Sequence, residues 1–188
     1  MIIDFHTHIF PERIAQRAIT GMQANTHAAA FSDGTAAGLR VSMDAAGITH
    51  SVVLPVATNP AKLASMNDAA IAINGRNGII HFGAVHPLAE NWETELVRMA
   101  DNGIKGIKVH PFYQGVAIDD IRYLRILGRA AELGLITVMH AGSEIAYPGQ
   151  VRCSPEMTAK ALRQLVALFP LSWPTWAAGK TGTGWQRI

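Results

Sequence analysis

The sequence predicts an α/β fold of the (β/α)8-barrel (TIM-barrel) type, incomplete, with about five to six βα units. Three observations carry this. Short apolar runs alternate with helical stretches, the pattern of a parallel sheet with helical crossovers. No glycine-rich phosphate loop follows any run, which weakens the competing open, nucleotide-binding sheet. Histidines collect instead at the C-terminal ends of the runs, at His6 and His8, His86, His110 and His140, where barrel enzymes build their sites.

Each element follows from local pattern. "MIIDFHTHIF" opens with Met1, Ile2, Ile3 and Phe5, which read as a short buried strand ended by Pro11. Residues 11–23 read as a helix, "AAFSDGT" as a loop, and residues 35–46 as a second helix stopped by Gly47. "HSVVLPVA" is the second strand, and Pro60 suits the first turn of a helix over 60–74. "GIIHFGAVHP" is the third strand, with Asn91 placed to cap a helix ending near Gly103. "GIKGIKVHP" is the fourth. Residues 118–133 follow as an amphipathic helix with Ile121, Leu124, Leu127 and Ala131 on one face. "LITVMHAG" is the fifth strand, after which Ser154 and Pro155 supply the N-cap and first position of a helix reaching about Leu168.

Composition narrows the classes. The chain of 188 residues is 49% hydrophobic and 16% charged, which suits one globular domain with a sizeable core. A net charge of +2 gives no argument for a nucleic-acid or membrane partner. The single cysteine, Cys153, excludes an intrachain disulfide framework and suits a cytoplasmic location. No signal-peptide pattern opens the chain, and no apolar run has the length of a membrane span.

The histidines carry the chemistry. Side chains alternate along a strand, so His6 and His8 point to one side and can grip one metal ion, with Asp4 placed to orient an imidazole. His140 ends its strand in front of small residues that let a ligand approach, and it is the third candidate metal ligand. Against this stands the plainer reading of surface histidines, or of a core histidine bonded to a backbone carbonyl. Lys108 and His110 lie two residues apart, share a face and are the candidate catalytic pair. Lys108 suits a carboxylated metal bridge or a cation for an anionic substrate, the alternative being a lysine that snorkels to the rim. His86 is expected to line the same mouth. His27, His50 and His81 are expected to be structural.

"DFHTH", "GIKGIKVHPFYQG" and "ELGLITVMHAG", in this order, resemble the amidohydrolase superfamily, and within it the amidohydrolase-related, metal-dependent hydrolase branch. The resemblance covers residues 1 to about 170 and is carried further by "SVVLPVATNP" and "RCSPEM". It implies a barrel that binds a divalent metal, zinc first with manganese or iron as alternatives, with His6, His8 and His140 as ligands. It also implies a histidine after the sixth strand, and an aspartate after the eighth that serves as ligand and general base.

The last residues depart from that pattern. Relatives continue with something like "LVLAHxGGW", whereas this chain reads "LSWPTWAAGKTGTGWQRI". Codons compatible with Trp173 to Ala177 allow a shifted frame that restores the relatives' motif. Residues 171–188 are therefore expected to be an out-of-frame tail after a barrel portion spanning 1–170. Five strands alone leave open edges, so the chain is expected to aggregate or to survive as a homo-oligomer.

The leading functional expectation is a metal-dependent hydrolase whose activated water attacks an amide, ester or lactone carbonyl. The alternative is a metal-dependent decarboxylase or hydratase of aromatic or unsaturated carboxylic acids, with Lys108 orienting the substrate carboxylate. A third reading is an inactive fragment. The partner throughout is a small molecule.

Overall fold

The structure is a computed structural model and describes residues 1–26, 29–144 and 147–168. His27 and the expected aberrant tail lie outside the described residues. In order the elements are β1 (Ile3–Thr7), α1 (Glu12–Thr26), α2 (Ala36–Ala46), β2 (His50–Val53), a 3-10 turn (Pro60–Lys62), α3 (Leu63–Ile73), β3 (Ile79–His81), β4 (Gly83–Ala84), α4 (Trp92–Asp101), β5 (Gly106–Val109), α5 (Ile121–Glu132), β6 (Ile136–Met139), β7 (Ser143–Glu144), β8 (Tyr147–Val151) and α6 (Pro155–Leu168).

All pairings from β1 to β6 are parallel, in the orders β1-β2-β3 and β4-β5-β6. The two groups join through Phe82, whose N–H still donates to Val53 O at 2.9 Å before Gly83 takes up register with Ile107. The predicted third strand is thus one line that changes partner halfway. The result is an incomplete (β/α)8-type barrel in which each strand line is followed by helix, five times among the described residues.

Two faces of this arc are packed differently. Ile107 and Val109 of β5 meet Leu96 and Met99 of α4, Tyr123, Leu124 and Leu127 of α5, and Ala161 and Leu165 of α6 in the main core. On the inner face Val52, Leu54 and Phe82 pack with the partly buried Ile80, Ile136 and Val138. Phe82 reaches over Gly106, where a Cβ would sit 2.4 Å from the ring and 2.5 Å from the backbone oxygen of Ile136. The glycine at 106 is what lets three strand lines close up at this level.

The local signals at helix ends hold where a side chain finds a backbone N–H. Thr35 accepts from Gly38 N, Asp120 from Arg122 N, and Ser154 Oγ from Met157 N at 3.2 Å. Gly47 closes α2 in the left-handed region at φ 66°. Four expectations are corrected. Asn91 makes no capping bond with its side chain. Pro60 starts a 3-10 turn capped by Asn59, and the α-helix proper begins at Leu63. In α5 the buried stripe runs through Tyr123, Leu124, Leu127 and Ala130, while Ile121 is exposed at the first turn. Met1, Ile2, Ile3 and Phe5 are exposed rather than buried, because β1 has β2 on one side and no described strand on the other. No helix among the described residues is long and apolar enough to cross a membrane.

Candidate metal centre

Three strand ends carry the expected residues: β1 carries His6 and leads into His8, β5 carries Lys108 and leads into His110, and β6 leads into His140. β1 carries a one-residue register shift against β2 between Asp4 and Thr7, and Asp4 Oδ1 accepts the His6 N–H there at 3.1 Å. Phe5 meets the inward Phe82 ring, while His6 and His8 stand close enough to Lys108 to feel its charge. The His6 and His8 rings lie 5.1 Å apart at 69°. Two imidazoles bound to one ion at about 2.0–2.1 Å place their ring centres about 5 Å apart, so this pair has the right spacing for a shared ion.

His8 Nδ1 donates to Leu54 O at 2.7 Å. That bond fixes the tautomer and leaves Nε2 a lone pair, the usual arrangement of a ligating imidazole. His140 follows β6, held by its own N–H to Val109 O at 3.0 Å, and its Nε2 is buried without a hydrogen-bond partner. A buried polar atom left unpaired is costly unless something else occupies it.

Lys108 and His110 stand on β5 and at its end, both buried; Lys108 is 1% exposed. Its charge is felt by His6, His8, His110 and His140. No carboxylate among the described residues forms an ion pair with it, and burial pushes its pKa down. The snorkelling alternative is thereby set aside. His110 stacks on His140, with ring centres 4.0 Å apart at 10°, and its Nδ1 accepts the Tyr113 N–H at 3.4 Å.

Gln114 holds this end of the barrel together. Its amide nitrogen donates to Ala57 O at 2.9 Å and to Val85 O, and its oxygen accepts from His110 N at 3.0 Å and from the Tyr123 hydroxyl. All four bonding positions of the buried amide are used, tying the segments after β2, β4 and β5 to α5.

The residue that sequence reasoning missed is Glu144. Its Oε2 lies 3.5 Å from His140 Nε2 and 4.0 Å from His110 Nε2, and the donor atoms of the three residues all fall within 4.8 Å of one another. The spacing of four residues in "HAGSE" was its only signal, and the chain turns at Gly142, φ 91°, on the way to it. His86 is buried too, but it only accepts the Leu88 N–H, and burial alone lowers its pKa. No bond or ring contact among the described residues ties it to the cluster. His81 donates to Phe82 O and is structural, as expected.

Imidazoles with free lone pairs, an orphaned Nε2 and a carboxylate fit a divalent metal ion. The protonation states agree. Burial, then the positive charge of Lys108 or a neighbouring imidazole, lowers the pKa of His6; burial lowers His8 and His140; His110 is pushed down to about 3 by burial and by His140 and Lys108. Neutral imidazoles are the ligating form.

The same shifts predict acid sensitivity. The unfolded chain binds protons at the ordinary histidine value of 6.5, whereas folded His110 does so only near 3, and His81 is shifted the same way by burial. Stability is thus fully present above about pH 6.5 and lost as pH falls through the window toward 3. For metal-free protein the urea midpoint should fall between about pH 7.5 and about pH 5. A midpoint constant across that range would contradict the burial of these rings.

Comparison with known proteins gives a consistent picture. A family model described as amidohydrolase matches residues 3–173. No curated protein sequence matches the chain. Among solved structures, 5-carboxyvanillate decarboxylase from Sphingomonas paucimobilis is similar with a TM-score of 0.61 at 15% identity, covering 90% of this chain and 64% of its own. 2,6-Dihydroxybenzoate decarboxylase from Rhizobium gives 0.59 at 19%, covering 90% and 63%. 5-Carboxyvanillate decarboxylase from Novosphingobium aromaticivorans, complexed with manganese and 4-hydroxy-3-methoxy-5-nitrobenzoic acid, gives 0.58 at 18%, covering 77% and 51%. This chain therefore spans between half and two thirds of the length of the structures it resembles.

Proposed function

The chain belongs to the amidohydrolase family, and from that membership and its cluster of imidazoles we propose that it acts as a metal-dependent lyase, decarboxylating an aromatic or unsaturated carboxylic acid. Hydrolysis of an amide, ester or lactone led the expectations from sequence. The similar solved structures described above are decarboxylases, and this reverses the order.

One observation carries the reading. Lys108 is a buried cation among four imidazoles with no carboxylate of its own among the described residues. A substrate carboxylate pairs with such a charge in a charge-assisted hydrogen bond, stronger than one to the neutral carbonyl of an amide or lactone.

In this reading His6, His8 and His140 hold a divalent metal, with zinc, manganese and iron as the candidates and manganese favoured by the Novosphingobium structure. When bound, the metal supplies Lewis-acid polarisation of a substrate oxygen. Lys108 pairs with the carboxylate and fixes its orientation. His110, whose Nδ1 is taken by the Tyr113 N–H, carries its proton on Nε2 and donates it as a hydrogen bond to a substrate oxygen. The bond between carboxyl carbon and substrate carbon breaks, carbon dioxide leaves, and the electron pair stays on the substrate carbon, which takes a proton from solvent.

The test is a panel of hydroxybenzoates and unsaturated acids beside neutral amides and lactones, read both as carbon dioxide release and as water-dependent cleavage. Lys108→Met should lower kcat/KM by roughly 10–100-fold, the worth of a hydrogen bond to a charged group, without changing metal content. Amide or lactone cleavage without carbon dioxide release would return the assignment to hydrolysis. Neither activity would favour the inactive-fragment reading.

A further inference from the structure

We propose that Glu144 is the carboxylate ligand of this metal site, completing a set with His6, His8 and His140, and that His110 stays outside the coordination sphere. The inference rests on the metal-site assignment of the preceding section.

Charge calls for a carboxylate. Three neutral imidazoles leave a divalent ion uncompensated, in a pocket that already holds the buried Lys108. A carboxylate ligand lowers the cost of holding both positive charges there. Glu144 is 9% exposed, and its only ion-pair neighbours among the described residues are His110 and His140. No lysine or arginine among the described residues claims it.

The backbone delivers Glu144 by a short route. Gly142, at φ 91°, turns the chain directly after the strand end, and its N–H donates to Cys153 O at 2.9 Å. β7 then pairs antiparallel with β8, with Ser143 opposite Val151. This route aims Glu144 back at the ring four residues earlier. Ligand atoms bound at about 2.0–2.2 Å can lie up to about 4.2 Å apart around one ion, and the 3.5 Å between Glu144 Oε2 and His140 Nε2 fits.

His110 is as near but wrongly oriented. Its ring lies within 10° of parallel to His140, so the in-plane lone pairs of the two rings run side by side and do not converge. The Tyr113 N–H on Nδ1 also puts the His110 proton on Nε2, the nitrogen that faces Glu144. Of the stacked pair only His140 has a lone pair to offer. The resemblance drawn from sequence places the carboxylate after an eighth strand; in this chain the fifth βα loop offers one.

Titration of the full chain with Co2+ against a competing chelator, together with its visible d–d spectrum, tests this without recourse to turnover. Wild type should bind one Co2+. Glu144→Gln should weaken binding at least about 10–100-fold and shift the spectrum. Glu144→Asp, which keeps the charge but withdraws it by one methylene, should fall between, and it serves as the second probe if the glutamine variant folds poorly by far-UV circular dichroism. His110→Phe, which keeps the stack and removes both nitrogens, should change affinity less than about threefold. Unchanged Co2+ affinity in Glu144→Gln would overturn the proposal. So would weaker affinity with an unchanged spectrum, since Glu144 would then act through His140. Wild type that takes up no Co2+ removes the metal site and this inference together. Co2+ binding as expected without carbon dioxide release retains this ligand set and loses the lyase reading.

Discussion

His8→Ala and His140→Ala proteins, purified beside wild type, are expected to retain little of its divalent metal. Binding of about 10–16 kcal/mol shared among four ligands gives each roughly 3 kcal/mol, or about a hundredfold in affinity. His8 is the more informative of the two. Its Nδ1 bond to Leu54 O ties it to the end of β2, so the ring is held in the ligating tautomer before any ion arrives. His140 has no hydrogen bond at Nε2, but Glu144 Oε2 lies 3.5 Å from that atom and the ring stacks on His110. The two variants should lose metal alike and each lose some stability without metal. His8→Ala should lose the contribution of a hydrogen bond, about 1 kcal/mol, while His140→Ala loses the stack on His110 and leaves Glu144 without its nearer ion-pair neighbour. Elemental analysis and urea unfolding of the stripped proteins measure both. Wild-type metal content in either variant would remove that histidine from the site.

Much of the architecture could be read from the chain because its signals are local. Apolar runs bounded by Gly and Pro mark the strands, and Thr35, Asp120 and Ser154 each sit where a free backbone N–H needs an oxygen. The positions of His6, His8, Lys108, His110 and His140 were legible because every one lies near or just past the end of a strand, and a parallel sheet points those ends the same way. What escaped the sequence depends on contacts between distant residues. The exposure of Ile2, Ile3 and Phe5 follows from which strands flank β1, which their own pattern does not encode. The break at Phe82 arises because that ring fills the space over Gly106, more than twenty residues away. Glu144 was missed because two-residue strands such as β7 have too few positions to show an alternation. The clamp at Gln114 was missed for a related reason. A lone glutamine in a loop gives no hint that three carbonyl and amide groups from separate strand ends, and a buried tyrosine, will converge on it.

Gly106→Ala is expected to destabilise the fold by about 3 kcal/mol or more, at the upper end of overpacking costs, although the same substitution at Gly21 should stabilise it. The added methyl carbon at Gly106 would lie 2.4 Å from the Phe82 ring and 2.5 Å from Ile136 O. The ring can turn at some cost to the inner cluster of Val52, Leu54 and Phe82. The carbonyl belongs to backbone, in the β5–β6 ladder where Gly106 opposes Ile136 and Ile136 N donates to Lys105 O at 2.9 Å, so relief requires the two strands to part. Parting them acts on the site as well. β5 carries Lys108 and leads into His110, and His140 is fixed to β5 through Val109 O. A shift of a few tenths of an ångström disturbs the stacked pair, so metal affinity should fall along with stability. At Gly21 in the middle of α1, a Cβ meets nothing within 4 Å. Gly21→Ala should stabilise by about 0.5–1 kcal/mol through helix propensity alone, with metal binding unchanged. Urea midpoints at constant slope separate the two cases. If both alanine variants moved the midpoint in the same direction, the tight approach of Phe82 and β6 to Gly106 would be wrong, and with it the account of how three strand lines hold the metal-site residues in register.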